Sequence, residues 1–547
     1  MLEEATSSRL SAAFARFMAK RARGLSRPQL VQFEALMRAL CAGQQQGHSC
    51  LMLNAETETL VKSSGLATAA DSPAEVMPLV IDHNRLYLQR YWYYEQRLAG
   101  QLKQLALASH QYQGLEALLA RYFPELPPDG DRDWQREAAK MAVTNSFAMI
   151  TGGPGTGKTT TVVKILAMLQ ELSPTPLLMA LAAPTGKAAM RLRQALNVSK
   201  AGLPCAESIK AVLPDHVTTL HRLLGARLWS PFFRHNAGQP LIYDLVVVDE
   251  ASMVDLALMS KLVDALKPGA RLLLLGDRQQ LASVESGAVL ADLTAAMPSH
   301  TVELKKSHRF GGAIKALAEA VNLQQSATAW QLLQQQDSSV MRLENDTAGF
   351  IAAHKTGYLQ LINAGAGPAE VFAEFNRFQA LCANRQGRFG VVELNRAVEH
   401  KLKEQGWLET HGQIWYPGRP VMVVQNSPVL QLYNGDIGLC FADEKGSLSV
   451  VFEREDGSFK HYLPARLPRC ETVFAMTIHK SQGSEFERIL LVLPESINPV
   501  LSKELIYTAI TRAKKAVVVY SSQPVFVAAI NQSIERSTGL AERLRHQ

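Results

Sequence analysis

The segment Met149–Thr160, MITGGPGTGKTT, constrains this chain more than any other feature of its sequence. Between an apolar run and a helical pattern, it matches G-x-x-x-x-G-K-[ST] through Gly152, Gly157, Lys158 and Thr159. Glycines let successive backbone N–H groups turn toward one anion, and the N-terminus of the following helix adds the positive end of its dipole. The loop therefore predicts a nucleotide site, with Lys158 beside the β- and γ-phosphates and Thr159 bound to Mg²⁺.

Two further apolar runs end in polar residues that suit a phosphate site. Leu245–Met253 reads LVVVDEASM, and its apolar part ends at Asp249 and Glu250. At the C-terminal edge of a parallel sheet, Asp249 is predicted to hold Mg²⁺ together with Thr159, and Glu250 to polarise the attacking water. The next run ends in LGDRQQL, where Gln280 is predicted to contact the γ-phosphate, with a surface turn as the alternative.

Short runs of Val, Ile, Leu and Ala alternate with helical patterns along most of the chain after residue 134. Apolar strands separated by helices predict parallel sheets covered on both faces, and hence an α/β fold. The region of about residues 412–467, rich in Gly, Pro and Asn-Gly, predicts a small β-barrel inserted into this frame. The expected α/β strands are Phe147–Thr151, Leu177–Ala183, Leu245–Asp249, Arg271–Asp277, Val473–Thr477, Ile489–Leu493 and Ala516–Tyr520.

The first 125 residues are rich in Ala, Leu, Gln and Arg, which favours a mainly helical domain. In Gln29–Cys41 the apolar residues fall roughly on one helical face. The segment Asp82–Gln96 is rich in aromatic residues, for which we expect a strand and turn packing a small core. The alternative is a docking surface for another chain, because exposed aromatic residues mark interfaces.

Charge and hydropathy add few limits. The chain carries 57 Lys and Arg against 50 Asp and Glu, and this net charge of +7 permits binding to a polyanion without proving it. No apolar run approaches the ~18–20 residues that span a bilayer, and no signal-peptide core follows the N-terminus, so we expect a cytoplasmic protein without a membrane partner. The six scattered cysteines predict reduced thiols rather than a disulfide frame or a metal site.

Motif blocks in a fixed order resemble superfamily 1 helicases of the RecD type over roughly residues 134–520. After Trp134–Gln135 and the phosphate loop come APTGKAAM, TLHRLLG, VVVDEASM, LGDRQQLASV, SHRF, AMTIHKSQGSEF and YTAITRA. Within this superfamily the chain is similar to the alpha subunits of bacterial exodeoxyribonuclease V, the RecD chains of RecBCD. The first 125 residues lack the Gly-rich helix-hairpin-helix patterns of the longer, stand-alone RecD-like helicases.

The resemblance implies two RecA-like P-loop motor domains, at residues 126–300 and 301–547, the first with a pin-like insert at 226–242. It also implies a partner-docking domain at 1–125 and an SH3-like barrel at about 412–467. The implied activity is that of an ATP- and Mg²⁺-dependent helicase that moves 5′→3′ along single-stranded DNA. It would open duplex DNA ends for recombinational repair, as one subunit of a heterotrimer with RecB-like and RecC-like subunits.

Other functions remain open from the sequence. Since no cluster of carboxylates with a lysine suggests a second, DNA-cutting site, the nuclease of such a complex is expected on a partner subunit. The alternatives are a stand-alone RecD-like 5′→3′ helicase, an RNA-acting relative, and a structural or regulatory subunit whose ATPase is vestigial.

The resemblance also implies roles for individual residues at the ATP site. Arg309 and Arg512 belong to the second motor domain and would meet ATP only when the cleft between the domains closes. The implied catalytic set is Lys158, Glu250, Gln280, Arg309 and Arg512. The implied nucleotide-binding set is Gln135 with the loop residues Gly152, Gly153, Pro154, Gly155, Thr156, Gly157, Lys158, Thr159 and Thr160. A surface glutamine for Gln135 and solvated basic clusters for the two arginines are the alternatives.

A single strand of DNA is expected to cross both motor domains, held through its phosphates and by base stacking. The implied DNA-binding set is Pro184, Thr185, Lys187, Thr219, His221, Thr477, His479 and Ser481. Buried core histidines are the alternative for the two histidines of this set. In the pin-like insert, Trp229, Phe232 and Phe233 suit base stacking and a small packed hairpin equally well.

Overall fold

The fold is built on four β-sheets, in a computed structural model that describes residues 2–71, 76–124, 132–227, 229–306, 312–335, 337–454 and 456–545, with side chains from Arg9 onward. Two of these sheets are wholly parallel, which confirms the predicted α/β fold with parallel sheets. No helix among these residues is long and apolar enough to cross a membrane.

The N-terminal region combines helices with a small sheet. The sheet has the strand order β1-β4-β3-β2 and is antiparallel except where β2 lies beside β3. Phe33, Met37 and Leu40 pack against it in one core, so the mainly helical expectation omitted a sheet. The elements are α1 (Leu2–Ala19), α2 (Arg27–Gln45), β1 (Cys50–Met52), α3 (Ala55–Ser63), β2 (Ala67–Ala69), β3 (Leu79–Asp82), β4 (Arg85–Leu88), α4 (Gln89–Leu107) and α5 (Leu115–Tyr122).

The aromatic segment Asp82–Gln96 is helical for half of its length, so the expected strand and turn is wrong after Leu88. Aromatic residues favour strands, but here their helical spacing decides the structure. Tyr91 and Tyr94 lie on the face of α4 that also carries Leu98, and they pack against the core below the first motor sheet.

The region that the sequence predicts as the first motor domain holds a six-stranded parallel sheet of order β10-β5-β9-β8-β6-β7. Its register sets Thr151, the last residue of β5, opposite Gly276, the last of β9, so that the loops after both strands leave the sheet side by side. The elements are α6 (Trp134–Thr144), β5 (Phe147–Thr151), α7 (Lys158–Leu172), β6 (Met179–Ala183), α8 (Gly186–Ala201), α9 (Glu207–Val212), β7 (Val217–Thr219), α10 (Leu220–Leu224), β8 (Leu245–Val248), α11 (Leu256–Asp264), β9 (Arg271–Gly276), α12 (Val289–Ala296) and β10 (Thr301–Glu303).

The second motor domain holds a five-stranded parallel sheet of order β11-β20-β19-β12-β18. An antiparallel sheet of order β16-β15-β14-β13-β17 is inserted before β18 and has a small apolar core of its own. The elements are α13 (Gly312–Asn322), α14 (Ser326–Gln334), β11 (Val340–Arg342), α15 (Thr347–Asn363), α16 (Pro368–Phe375), β12 (Phe378–Cys382), α17 (Val391–Glu404), β13 (Pro420–Val423), β14 (Ile437–Ala442), β15 (Leu448–Glu453), β16 (Phe459–Tyr462), β17 (Cys470–Thr472), β18 (Ala475–Thr477), β19 (Phe486–Val492), α18 (Lys503–Ile510), β20 (Ala513–Tyr520), α19 (Gln523–Asn531) and α20 (Leu540–Arg545).

The polypeptide leaves the second motor domain before its last helix, α20, which packs against the first motor domain. Leu540 and Leu544 are buried in the cluster that also contains Leu98 of α4 and Leu290 of α12. The chain therefore crosses between its motor domains twice, once after β10 and once before α20.

Candidate nucleotide site and nucleic-acid interface

The phosphate loop connects β5 to α7 at the C-terminal edge of the first motor sheet. Gly155 and Gly157 have φ angles of 75° and 84°, which glycine adopts without strain. The ammonium of Lys158 donates to the carbonyls of Gly152 at 2.5 Å and Gly153 at 3.0 Å. The lysine thus lies inside its own loop, where the phosphates of a nucleotide would compete for the same charge.

Gln135, at the start of α6, lies directly on this loop. Its side-chain Nε2 donates to the carbonyl of Thr156 at 3.2 Å. A Cβ atom added at Gly157 would come within 2.4 Å of the same nitrogen, so the absence of a side chain there gives Gln135 its position. Gln135 is therefore beside the predicted nucleotide site, whereas a solvated surface residue was the alternative.

Asp249 and Glu250 follow β8 at the same edge of the sheet. The backbone N–H of Glu250 donates to the Asp249 carboxylate at 2.9 Å, and Glu250 adopts a left-handed conformation with φ 53°. Such conformations are costly outside glycine and cluster at functional sites. Burial, with the neighbouring charge of Glu250, raises the pKa of Asp249 to about 6, and Lys158 opposes this shift.

The donor set around Asp249 fits a hard divalent cation. The carboxylate of Asp249 and the hydroxyl of Thr159 are oxygen donors of the kind that Mg²⁺ prefers. A bound cation would also stabilise the ionised form of Asp249, which burial and Glu250 disfavour. Within the described residues, the buried hydroxyl of Ser252, three residues after Asp249, has no hydrogen-bond partner.

Arg512 reaches the first motor domain from the end of α18. Its Nη2 donates to the Gln280 side-chain oxygen at 2.6 Å, and its Nε donates to the carbonyl of Thr508 at 3.1 Å. Both side chains are buried, since Arg512 is 2% exposed and Gln280 7% exposed. Burial lowers the pKa of the guanidinium, and the charges of Glu250 and Asp277 oppose this shift. Arg512 therefore lies at the interface between the two motor domains (the seam), on the side of the phosphate loop. Arg309, the other predicted arginine, lies outside the described residues.

The same seam contains two residues that sequence reasoning missed. The hydroxyl of Tyr507 donates to the Asp277 carboxylate at 3.1 Å, and the side-chain nitrogen of Gln280 donates to the same oxygen at 3.0 Å. Both residues stand inside the motif blocks, Asp277 in LGDRQQL and Tyr507 in YTAITRA. A buried strand that ends in a carboxylate was the signal that pointed to Asp249, and it applies equally to Asp277.

A polar cavity of about 780 Å³ lies between the two motor domains and the inserted sheet. Lys187 lines it from α8, and burial lowers the pKa of this lysine to about 8, with Asp436 raising it and Lys480 lowering it further. Above the cavity, Arg222 of α10 lies over the ring of Tyr433 at 4.8 Å, and Lys480 donates to Asn434 at 2.7 Å. One loop of the inserted sheet thus touches both motor domains across the cavity.

The structure distributes the other predicted DNA-binding residues unevenly. The Thr185 hydroxyl accepts from the N–H of Ala188 at 3.3 Å and the Thr219 hydroxyl from that of Arg222 at 3.3 Å, so both cap helices, α8 and α10. Pro184 precedes the first cap, and Thr477 ends β18. These side chains remain partly exposed, at helix N-termini where anions are favoured.

Of the remaining members of this set, His479 is partly exposed and Ser481 is buried. Burial lowers the pKa of His479, and Arg536 lowers it further. Ser481 is fully buried and its hydroxyl donates to the carbonyl of Ile478 at 2.7 Å, so this hydroxyl does not face the cavity. His221 by contrast is exposed and contacts the ring of Phe233 edge-on, with centroids 5.7 Å apart.

The pin-like insert forms a small hairpin, with bridges from Ala226 to Phe233 and from Asn236 to Gln239. Its aromatic residues divide between the two interpretations. Phe233 packs against the first motor core, whereas Trp229 is fully exposed at φ 63° and Phe232 is 71% exposed.

Two family models match the chain. Residues 135–286 match a model described as an AAA domain, and residues 472–520 match a UvrD-like helicase C-terminal domain. The first range contains the phosphate loop and Gln280, and the second contains Arg512 and the segment before it.

Curated relatives match over most of the chain. The RecBCD enzyme subunit RecD of Mycolicibacterium smegmatis is 40% identical over 88% of this chain and 86% of its own length. The subunit of the same name from Haemophilus influenzae is 35% identical over 88% of this chain and 83% of its own length. The ATP-dependent RecD2 DNA helicase of Deinococcus radiodurans is 32% identical over 77% of this chain but 53% of its own length. Among solved structures, Bacteroides Pif1 bound to single-stranded DNA covers 73% of this chain and 94% of its own at 18% identity and TM-score 0.41.

Proposed function

The chain belongs to the RecD family of RecBCD helicase subunits, and we propose that ATP hydrolysis at the seam between its motor domains drives 5′→3′ movement along single-stranded DNA. The activity is that of an ATP-dependent DNA helicase subunit; the direction is carried over from the resemblance of the motifs. The contact of Arg512 with Gln280 is the observation that carries the mechanism, because it joins a cation of the second domain to the predicted γ-phosphate contact of the first.

At the ATP site, the loop amides and Lys158 bind the phosphates, and Gln135 orients the base beside Thr156. Glu250 aligns the attacking water, and Gln280 contacts the γ-phosphoryl group. Arg512 stabilises the charge that develops there, with Arg309 as the second predicted arginine. Since these groups come from two domains, hydrolysis requires a closed seam and product release favours an open one.

Thr159 and Asp249 would hold a Mg²⁺ ion in this mechanism. When bound, the ion would neutralise charge on the phosphates. Burial and the neighbouring charge of Glu250 raise the pKa of Asp249. This supports the assignment, because a nearby cation would stabilise the ionised carboxylate.

The DNA strand is proposed to run through the 780 Å³ cavity, under the loop that carries Tyr433. Lys187, Arg222 and Lys480 supply positive charge around this space, and the N-terminus of α8 adds its dipole. The inserted antiparallel sheet then serves as the roof of the channel, which is the role we assign to the predicted SH3-like domain. Trp229 in the pin-like insert is proposed to contact the duplex before it is separated, and its full exposure supports this role.

The other subunits of the complex are proposed to bind the N-terminal domain. Exposed apolar side chains on α1 and α2, namely Leu10, Phe17 and Val31, offer a surface for this contact. The nuclease is assigned to a partner. Among the described residues, no group of three or more His, Cys, Asp or Glu side chains could hold a metal ion.

Unwinding of duplexes with either a 5′ or a 3′ single-stranded tail tests the proposal. The chain is prepared with its partner subunits, and a Lys158→Gln preparation serves as the blank for ATP hydrolysis and unwinding by other subunits. We expect the wild type to exceed this blank on 5′-tailed duplexes. Equal activity of the two preparations would favour a structural or regulatory subunit, and a preference for 3′ tails would refute the direction.

A further inference from the structure

Helix α18 and Arg512, which follows it, contact the first motor domain through three side chains rather than one. Besides Arg512, just after its end, Tyr507 reaches across the seam from the middle of the helix. Both side chains bind the same loop of the first domain, the turn after β9 that carries Asp277 and Gln280. Between these points, the Thr508 hydroxyl accepts from the N–H of Leu281 at 2.9 Å.

A continuous hydrogen-bonded network joins four side chains, those of Tyr507, Asp277, Gln280 and Arg512. Tyr507 and the Gln280 nitrogen both donate to one oxygen of Asp277, at 3.1 and 3.0 Å. With its nitrogen held there, Gln280 presents its oxygen to Arg512 at 2.6 Å. All four side chains are at most 7% exposed, so water does not compete for these bonds.

This hydrogen-bonded network also contacts the phosphate loop. A Cβ atom added at Gly153 would lie 3.0 Å from the Tyr507 hydroxyl, so the phenol is in contact with the loop backbone. The charge of Lys158 acts on Asp277 and opposes the rise that burial causes in the pKa of this carboxyl. Binding of a nucleotide to Lys158 would therefore change the electrostatic surroundings of Asp277.

We infer that Tyr507 and Asp277 are positioning residues that hold Gln280 and Arg512 in register across the closed seam. The inference rests on the proposed function, since it assumes that Arg512 acts on ATP. Tyr507 does not meet the reacting atoms in this arrangement. It fixes the loop after β9, whose glutamine then orients the arginine.

The energetics favour such a role. A hydroxyl that donates to a buried carboxylate is a strong hydrogen bond, and its loss leaves the carboxylate with one donor fewer at the position that orients Gln280. Burial, followed by Asp277, raises the pKa of Tyr507 far above its ordinary value, so the hydroxyl remains a donor throughout the working pH range.

Tyr507→Phe is the test, because it removes the hydroxyl and keeps the ring. DNA-stimulated ATP hydrolysis is measured for the complex above a Lys158→Gln blank. We expect kcat to fall roughly ten- to hundredfold with an unchanged KM for ATP. Tyr358→Phe is the matched control: this tyrosine is also buried in the second motor domain, and its hydroxyl donates to the carbonyl of Gly418 at 2.8 Å rather than to the loop after β9.

A double-mutant cycle separates positioning from general destabilisation. Asp277→Asn should lower kcat like Tyr507→Phe, and the double variant should lose little more, because both act through one contact. If the losses of kcat in the two single variants multiply in the double variant, or if the kcat of Tyr507→Phe equals that of Tyr358→Phe, the inference is refuted. Neither result contradicts the proposed function. A wild type no more active than the Lys158→Gln blank would instead refute the proposed function itself.

Discussion

Replacing Arg512 with alanine is the most direct test of the seam as the catalytic site. The guanidinium is buried, and it is held by the Gln280 side chain at 2.6 Å and by the carbonyls of Thr508 at 3.1 Å and Ser484 at 3.3 Å. The substitution therefore removes a catalytic cation and also leaves polar groups of the folded state without their donor.

The two consequences differ in size. An arginine that reaches the transferred phosphoryl group from another domain contributes about 10³–10⁵ in rate, or about 4–7 kcal/mol of transition-state stabilisation. Leaving a buried acceptor such as the Gln280 oxygen unpaired costs about 1–3 kcal/mol of folding free energy. We therefore expect kcat for DNA-stimulated ATP hydrolysis to fall at least about a thousandfold, in a protein that is folded but melts at a lower temperature.

Phosphate release in the presence of single-stranded DNA measures the rate, and equilibrium binding of a fluorescent ADP measures the nucleotide site. ADP affinity should be retained, because Lys158 and the loop amides are untouched. Arg396→Ala removes an exposed arginine of α17 that pairs with Glu393, and it serves as the matched control. A folded Arg512→Ala variant whose kcat falls less than about tenfold would refute the cross-domain arginine.

Three further predictions concern the metal, the pin and the C-terminal helix. Because the folded-state pKa of Asp249, about 6, exceeds its unfolded value, this carboxyl binds a proton below pH 6. The Mg²⁺ concentration for half-maximal ATP hydrolysis should then rise about tenfold per pH unit below that point, and a flat profile between pH 5 and 7 would contradict the assignment. Trp229→Ala should impair unwinding in a strand-displacement assay while single-stranded DNA still stimulates ATP hydrolysis fully; equal losses in both assays would argue against a pin. Leu540→Ala should lower the free energy of unfolding of the chain by about 2–5 kcal/mol in denaturant titration, whereas Leu323→Ala, at an exposed position, should not, and equal effects would argue against docking of α20.

The strands around the phosphate loop were predictable because buried parallel strands leave a plain signal. Phe147–Thr151 is β5 residue for residue, and the other predicted α/β strands differ from the structure by a few residues at their ends. The N-terminal sheet was not predictable in the same way. Its strands are three or four residues long, too short for a period to be read, and the aromatic residues that follow them belong to a helix.

In the candidate site too, local features were easier to predict than contacts between distant parts of the chain. Groups that a local motif carries, such as Lys158, Asp249 and Gln280, follow strands of the first parallel sheet as the sequence suggested, and their roles stay predictions. Contacts that depend on the packing of two domains were not visible, since Tyr507 and Asp277 are 230 residues apart. Burial is equally hidden in a motif, as Ser481 illustrates, because this serine turns its hydroxyl inward to the backbone carbonyl of Ile478.

The C-terminal segment determines how the seam can open. Ile534 is still tied to the second motor domain, since its N–H donates to Glu504 at 3.2 Å. Two residues later, Arg536 is anchored in the first domain, where it donates to the carbonyl of Gly287 at 2.8 Å. Two residues span about 7 Å at most, so the domains cannot separate at this point while both anchors hold. An opening movement that keeps both hydrogen bonds is therefore a rotation about residues 534–536.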